Sequence, residues 1–180
     1  MRIIGGRLKG LRLNPPANLP VRPTTDLAKE ALFNILNNQL DFEGLKILDL
    51  FSGTGNISME FASRGAAEII SVDIHKGCVY YLKDIAKQHQ VNTLTPFKAD
   101  VLKFLKEETD TFDLIFADPP YDMPQIPQIA ELVFDRNLLK PDGILIIEHP
   151  STKKLDSHPN FSEQRKYGSS SFSFFTLKTE

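Results

Sequence analysis

The run Asp118-Pro119-Pro120-Tyr121 comes directly after the apolar stretch Phe112-Asp113-Leu114-Ile115-Phe116-Ala117. Proline has no N–H to give a strand ladder and fixes its own backbone torsion, so the two prolines end the strand and stiffen the chain beyond it. The product is a rim at the carboxyl end of a strand, where open α/β sheets bind their ligands. This rim offers acceptors, the Asp118 carboxylate and the carbonyls of Ala117, Asp118 and Pro119, with the ring of Tyr121 beside them. A flat group bearing an amino donor, such as a nucleobase, matches that chemistry.

Three more acids stand where strands are expected to end. Ile47-Leu48-Asp49-Leu50-Phe51 runs into Ser52-Gly53-Thr54-Gly55-Asn56, and the two glycines let backbone pass close to a ligand. Asp73 lies 20 residues after Gly53, the place from which an acid accepts the hydroxyls of an adenosine ribose. Asp100 closes the third strand, within reach of an adenine amino group. The turn lacks the third glycine of a dinucleotide fingerprint, with Ser58 and Met59 near that place, and it lacks the Lys-Ser/Thr of a P-loop. Asp49 would repel a pyrophosphate and attract an ammonium, so S-adenosylmethionine suits the crevice better than NAD. The expected cofactor set is Asp49, Phe51, Ser52, Gly53, Thr54, Gly55, Asp73, Ile74, Asp100 and Val101. Asp118, Pro119, Pro120 and Tyr121 form the catalytic rim.

The elements that must carry these residues alternate. Strands are expected over 46–51, 68–73, 94–99, 112–117 and 143–148, with helices over 56–64, 76–89, 101–107 and 125–137. That alternation predicts an α/β fold, a Rossmann-like, mostly parallel seven-stranded sheet. Residues 161–167 and 172–178, either side of Gly168-Ser169-Ser170-Ser171, read as an antiparallel hairpin at one sheet edge. Lys140-Pro141-Asp142-Gly143 reads as a turn feeding the fifth strand, and Gly65 as a helix cap. Before the sheet, Thr24-Thr25-Asp26 opens a helix whose apolar positions Leu27, Ala28, Ala31, Leu32, Ile35, Leu36 and Leu40 recur at helical spacing.

The first 13 residues alternate basic and apolar side chains around glycines, the pattern of a small β-hairpin, and four prolines in 14–23 make an extended linker. Residues 1–23 therefore read as an arm and linker, and 24–180 as a single domain. The formal charge of −2 is unevenly spread. Residues 1–29 hold six basic side chains against one acid, a balance of +5, and the remainder holds 15 against 22, a balance of −7. A basic arm on an acidic body fits contact with nucleic-acid phosphates, through Arg2, Arg7, Lys9, Arg12 and Arg22, with Thr24 and Thr25 near the target.

The remaining composition excludes several classes. At 41% hydrophobic and 24% charged residues the chain is of ordinary globular composition, with no apolar run of the ~20 residues a membrane helix needs. The amino terminus lacks the pattern of a signal peptide, and one cysteine, Cys78, fits a reducing cytoplasm. Cys78 falls within an expected helix, which suits packing better than nucleophilic catalysis. The four histidines show no metal-ligand spacing, and no metal is expected. His75 reads as a surface residue beside the adenine site, the tyrosines at 80 and 81 and the phenylalanines of 172–175 as core, and Glu148-His149-Pro150 as a loosely placed substrate contact.

Taken with their order, these motifs resemble the S-adenosylmethionine-dependent amino-methyltransferases with an Asp/Asn-Pro-Pro-Tyr/Phe motif. Within them the chain closely resembles the bacterial 16S ribosomal RNA guanine-N2 methyltransferases of the RsmD type. The resemblance is carried by 2–10, by Arg22-Pro23-Thr24-Thr25-Asp26 with 29–36, by 48–55 and by Asp118-Pro119-Pro120-Tyr121. It implies a methyltransferase domain over 24–180 that modifies a guanosine amino group in small-subunit ribosomal RNA, within an assembled or assembling subunit. It also implies that Asp49, Gly53 and Gly55 line the methionine end, Asp73 the ribose, Asp100 the adenine, and residues 118–121 the target base. Three alternatives stay open. An adenine-N6 methyltransferase shares the Pro-Pro rim but normally carries an added recognition domain, and a protein-glutamine methyltransferase typically has Asn where Asp118 stands. A non-catalytic ribosome-assembly factor would gain nothing from four acids in one cleft.

Overall fold

The computed structural model describes residues 1–21 and 25–178. Five helices and seven strands follow the alternation in the sequence: α1 (Asp26–Asn37), β1 (Lys46–Leu50), α2 (Asn56–Ser63), β2 (Glu68–Asp73), α3 (Lys76–Gln88), β3 (Leu94–Lys98), α4 (Val101–Glu107), β4 (Phe112–Ala117), α5 (Ile126–Asp135), β5 (Leu139–Pro150), β6 (Phe161–Tyr167) and β7 (Ser170–Thr176). The strands form one sheet in the order β3-β2-β1-β4-β5-β7-β6. The first five are parallel and the last two pair antiparallel, as expected.

Because helices cover both faces, the central strands are apolar on both sides and divide their residues between two cores. In β4, Leu114 and Phe116 join the core under α1, α2 and α3, while Ile115 and Ala117 join the one under α4 and α5. The chain changes faces between β1 and β4, and Asp49 is in register with Phe116 across that boundary. A topological switch point of this kind opens a crevice at the strand carboxyl ends.

Several boundaries depart from expectation. The Lys140-Pro141-Asp142-Gly143 segment lies inside β5 as an irregularity, with the register jumping from Phe112–Leu139 to Leu114–Ile144 and Asp142 at φ 66°. The cause is that β5 pairs with β4 at Leu139, ahead of the irregularity, and again from Ile144 onward. The first helix ends at Asn37, and its buried face is Lys29, Leu32, Phe33, Ile35 and Leu36. Leu27, expected on that face, is 76% exposed. Tyr80 is exposed rather than core, whereas Phe172, Phe174 and Phe175 are buried as expected. Gly65 does end α2, at φ 101°, donating to Ala62 O while Ala66 N reaches Phe61 O.

The arm is a hairpin of the barest kind, one antiparallel bridge between Arg2 and Arg12. It is docked on α2 through Ile4 N and Gly5 N on the Glu60 carboxylate, Arg7 N on Ser63 O and Leu8 N on Ser63 Oγ. Ile3 and Leu13 are buried in the α1–α3 core.

Candidate active site

β1 delivers the chain to the crevice and then turns sharply. Phe51, Gly53 and Gly55 have φ of 59°, 54° and 90°. Gly55 is the position where glycine is required: a Cβ there would lie 2.2 Å from Leu82 Cδ1 of α3. The turn is tied to the neighbouring strand by Ser52 N on Val72 O and by Gly53 N on Asp73 Oδ2 at 2.9 Å. The other Asp73 oxygen accepts His75 N at 2.8 Å, which holds the carboxylate still with a lone pair on each oxygen for a ligand hydroxyl.

Asp49 is 1% exposed and hydrogen-bonded by Ser58 Oγ, which also meets Ser71 Oγ at 2.6 Å. Burial pushes its carboxyl up to about 7; the Ser58 bond opposes the rise, and the charges of Asp118 and Asp73 add to it. Asp100 is exposed and caps α4 by accepting Lys103 N at 3.0 Å. On the far side of the crevice, Asp118 N donates to Leu50 O at 3.2 Å, which fastens the proline rim to the end of β1. Tyr121 is half-buried and its hydroxyl is hydrogen-bonded with Ser170 Oγ at the start of β7.

These residues line one cavity of about 540 Å³. Of the positions expected from sequence, Asp49, Phe51, Ser52, Gly53, Thr54, Asp73, Ile74, Asp100, Val101 and the whole 118–121 rim border it; Gly55 does not, and caps α2 instead. His75 also borders it, while its Nδ1 accepts Cys78 N at 3.4 Å to cap α3. Met1, Pro15, Pro20, Val21, Asn56, Ile57 and Phe116 were not legible as site residues. The described part of the linker borders the crevice through Pro15, Pro20 and Val21: Val21 stands 3.1 Å from where a Gly53 Cβ would be, and Leu19 2.8 Å from that of Gly77.

The remaining candidates divide by exposure and by partner. Arg7, Lys9 and Arg12 are exposed and available to a partner. Arg2 is half-buried and pairs with Asp26 at 3.4 Å. Thr25 caps α1 by accepting Ala28 N, and Arg22 and Thr24 lie outside the described residues. Lys29, counted in the basic balance of the arm, is buried and contributes nothing to its surface. Cys78 is buried, with its thiol pushed up to about 11 by burial, which suits no nucleophile. His149 is locked inside the sheet between Ser173 Oγ and Pro150 O, and it does not border the crevice. Among the described residues, no cluster of His, Cys, Asp or Glu could hold a metal, and no helix is long and apolar enough to cross a membrane.

A family model described as "Conserved hypothetical protein 95" matches residues 1–176. Ribosomal RNA small subunit methyltransferase D of Buchnera aphidicola subsp. Baizongia pistaciae is 31% identical over 161 residues, covering 89% of this chain and 82% of its own. The chain belongs to this family, the RsmD type. A second relative, a putative rRNA methyltransferase of Bacillus subtilis, is 34% identical over 165 residues, 86% of this chain and 85% of that protein. The fold of the family is also that of a putative methyltransferase from Escherichia coli, with a TM-score of 0.86 at 23% identity over 100% of this chain and 99% of the other.

Proposed function

We propose that this protein methylates the exocyclic N2 amino group of a guanosine in small-subunit ribosomal RNA, with S-adenosylmethionine as methyl donor. The observation that carries the reading is the Asp118-Pro119-Pro120-Tyr121 rim facing Asp49 across one crevice at the switch point of the sheet. The names of the relatives, methyltransferases of ribosomal RNA, support the substrate class.

The crevice suits this cofactor in its donor set. Asp49 is an acceptor-only group when ionised, matched to an ammonium, and Asp73 keeps lone pairs for ribose hydroxyls. When bound, S-adenosylmethionine supplies an electrophilic methyl group on a positively charged sulfur. The chain's part is to hold the nucleophile. A guanine amino group is a poor one because its lone pair is delocalised into the ring. The Asp118 carboxylate and the Pro119 carbonyl accept its two hydrogens and favour a more pyramidal nitrogen. Tyr121 stacks on the extruded base, worth ~1–3 kcal/mol, with its ring oriented by the Ser170 bond. Alignment of the two reactants can contribute roughly 7–11 kcal/mol. The proton lost from the methylated nitrogen passes to Asp118 or to water.

The test offers labelled S-adenosylmethionine with undermodified small subunits, naked ribosomal RNA and DNA, and identifies the product nucleoside. N2-methylguanosine is expected from the ribosomal substrates. N6-methyladenosine from DNA, or cofactor binding with no transfer to any of the three, overturns the reading.

A further inference from the structure

Lys29 is 1% exposed, and the chemistry of the crevice leaves it without a role. Its ammonium lies 2.8 Å from Arg2 O, 2.9 Å from Asn56 Oδ1 and 2.9 Å from Glu60 Oε1. Three acceptors use all three N–H groups. The Glu60 carboxylate is held in turn by Ile4 N, Gly5 N and Arg64 Nε, so it cannot swing away to release the lysine. Burial lowers the Lys29 pKa, while the hydrogen bond and charge of Glu60 act the other way.

An ammonium donates and never accepts. Asn56 must therefore present its carbonyl oxygen to Lys29, which leaves its NH2 as the free polar edge of the side chain. Among the described residues that nitrogen donates to no protein acceptor. Asn56 follows Gly55 directly and borders the crevice. The amino-acid end of the cofactor carries an ammonium and a carboxylate. Asp49 answers the first; every other acid bordering the crevice would repel the second.

The geometry points to Asn56 as a cofactor-binding residue that donates through its amide NH2 to the carboxylate of the methionine end, with Lys29 the positioning residue that fixes the amide's orientation. This rests on the crevice being the S-adenosylmethionine site. Lys29 also takes the Arg2 carbonyl, so one ammonium orients a ligand contact and anchors the arm.

The experiment titrates the full chain with S-adenosylmethionine and with its decarboxylated analogue, by calorimetry, so that no turnover is needed. The wild type should bind the first more tightly. Asn56→Ala should lose about 10- to 100-fold in affinity for S-adenosylmethionine, the scale of one hydrogen bond to a charged group, and less than about twofold for the analogue. Lys29→Met should show the same selectivity with a smaller loss, and a thermal melt reports whether it folds; Asn56→Ala removes no buried charge and carries the test if it does not. Equal losses for both ligands, unchanged affinity, or a wild type indifferent to the carboxylate each overturn the assignment while leaving the cofactor in place. A wild type that binds neither ligand sinks the cofactor reading itself, and this assignment with it.

Discussion

Asp49 and Asp118 approach one crevice from adjacent parallel strands, and the charge of Asp118 helps to keep the Asp49 carboxyl near neutrality. Burial is the larger cause, and it leaves Asp49 at about 7, where it exchanges its proton under working conditions. A buried acid held uncharged until a cation arrives avoids an unpaired charge in the ligand-free protein.

Cofactor affinity should therefore depend on pH. Below about 7, binding an ammonium must expel the Asp49 proton, so affinity should fall as pH falls, by up to tenfold per unit. Above about 8 the α-amino group of the ligand itself loses its proton. Calorimetry in buffers of different ionisation enthalpy should show proton release near pH 6 and little at pH 7.5. Equal affinity at pH 5.5 and 7.5 would remove Asp49 from the ammonium site.

The same displacement has a cost in stability. A carboxyl whose pKa is raised on folding stabilises the fold below its unfolded value, and that advantage is lost as pH climbs through about 7. Asp49→Asn keeps an acceptor for Ser58 and cannot ionise. Its stability relative to wild type should grow by about 2–3 kcal/mol between pH 5 and pH 8, read from denaturant midpoints. Its affinity for S-adenosylmethionine should be weak and nearly independent of pH over the same range, so that the gap to wild type widens as Asp49 ionises.

The alternation of strands and helices was legible because apolar runs bounded by glycine, proline and acids leave little choice of element. Asp49, Asp73, Asp100 and Asp118 were legible for the same reason, since each stands in the last two residues of a strand or within two residues after one. Lys29 was not. It sits among apolar positions of α1 and is buried because Glu60, 31 residues on, waits opposite, and no periodicity records a partner at that distance. Asn56 was missed alongside it, because its importance comes from the lysine that turns its amide. The arm shows the limit from the other side. Its alternation signalled a hairpin, but the hydrogen bonds that place it go to α2 and not to a second strand.

Gly55→Ala tests the turn. At φ 90° an alanine is strained, and its Cβ would displace the fully buried Leu82 side chain. Backbone strain and overpacking together should cost about 2–4 kcal/mol. Gly10→Ala is the control: φ 87° but no atom within 4 Å of the new Cβ, so about 1–2 kcal/mol and unchanged cofactor binding. Similar losses of stability in the two would show that Leu82 yields without cost.

Asp118→Ala separates the two halves of the site. The carboxylate borders the crevice at the proline rim, and its charge opposes ionisation of Asp49. Its removal should reduce methyl transfer by about 100-fold or more, on the order of one positioned catalytic group. Cofactor affinity should hold or rise slightly, since Asp49 then ionises more easily. A parallel fall in affinity and rate would place Asp118 at the cofactor instead.

The arm offers the clearest test of RNA contact, though removing it whole is uninformative. Deleting 1–13 strips two amide donors from Glu60 and a carbonyl from Lys29, and a buried ion pair deprived of partners costs about 3–5 kcal/mol. Lost binding would then report unfolding. Arg7, Lys9 and Arg12 are exposed and outside that network, so the triple alanine variant should melt within a few degrees of wild type. If each side chain meets a phosphate, the slope of log affinity against log salt should flatten by about 2, the yield of three counterions on single-stranded RNA. An unchanged slope would assign phosphate contact to another face of the protein.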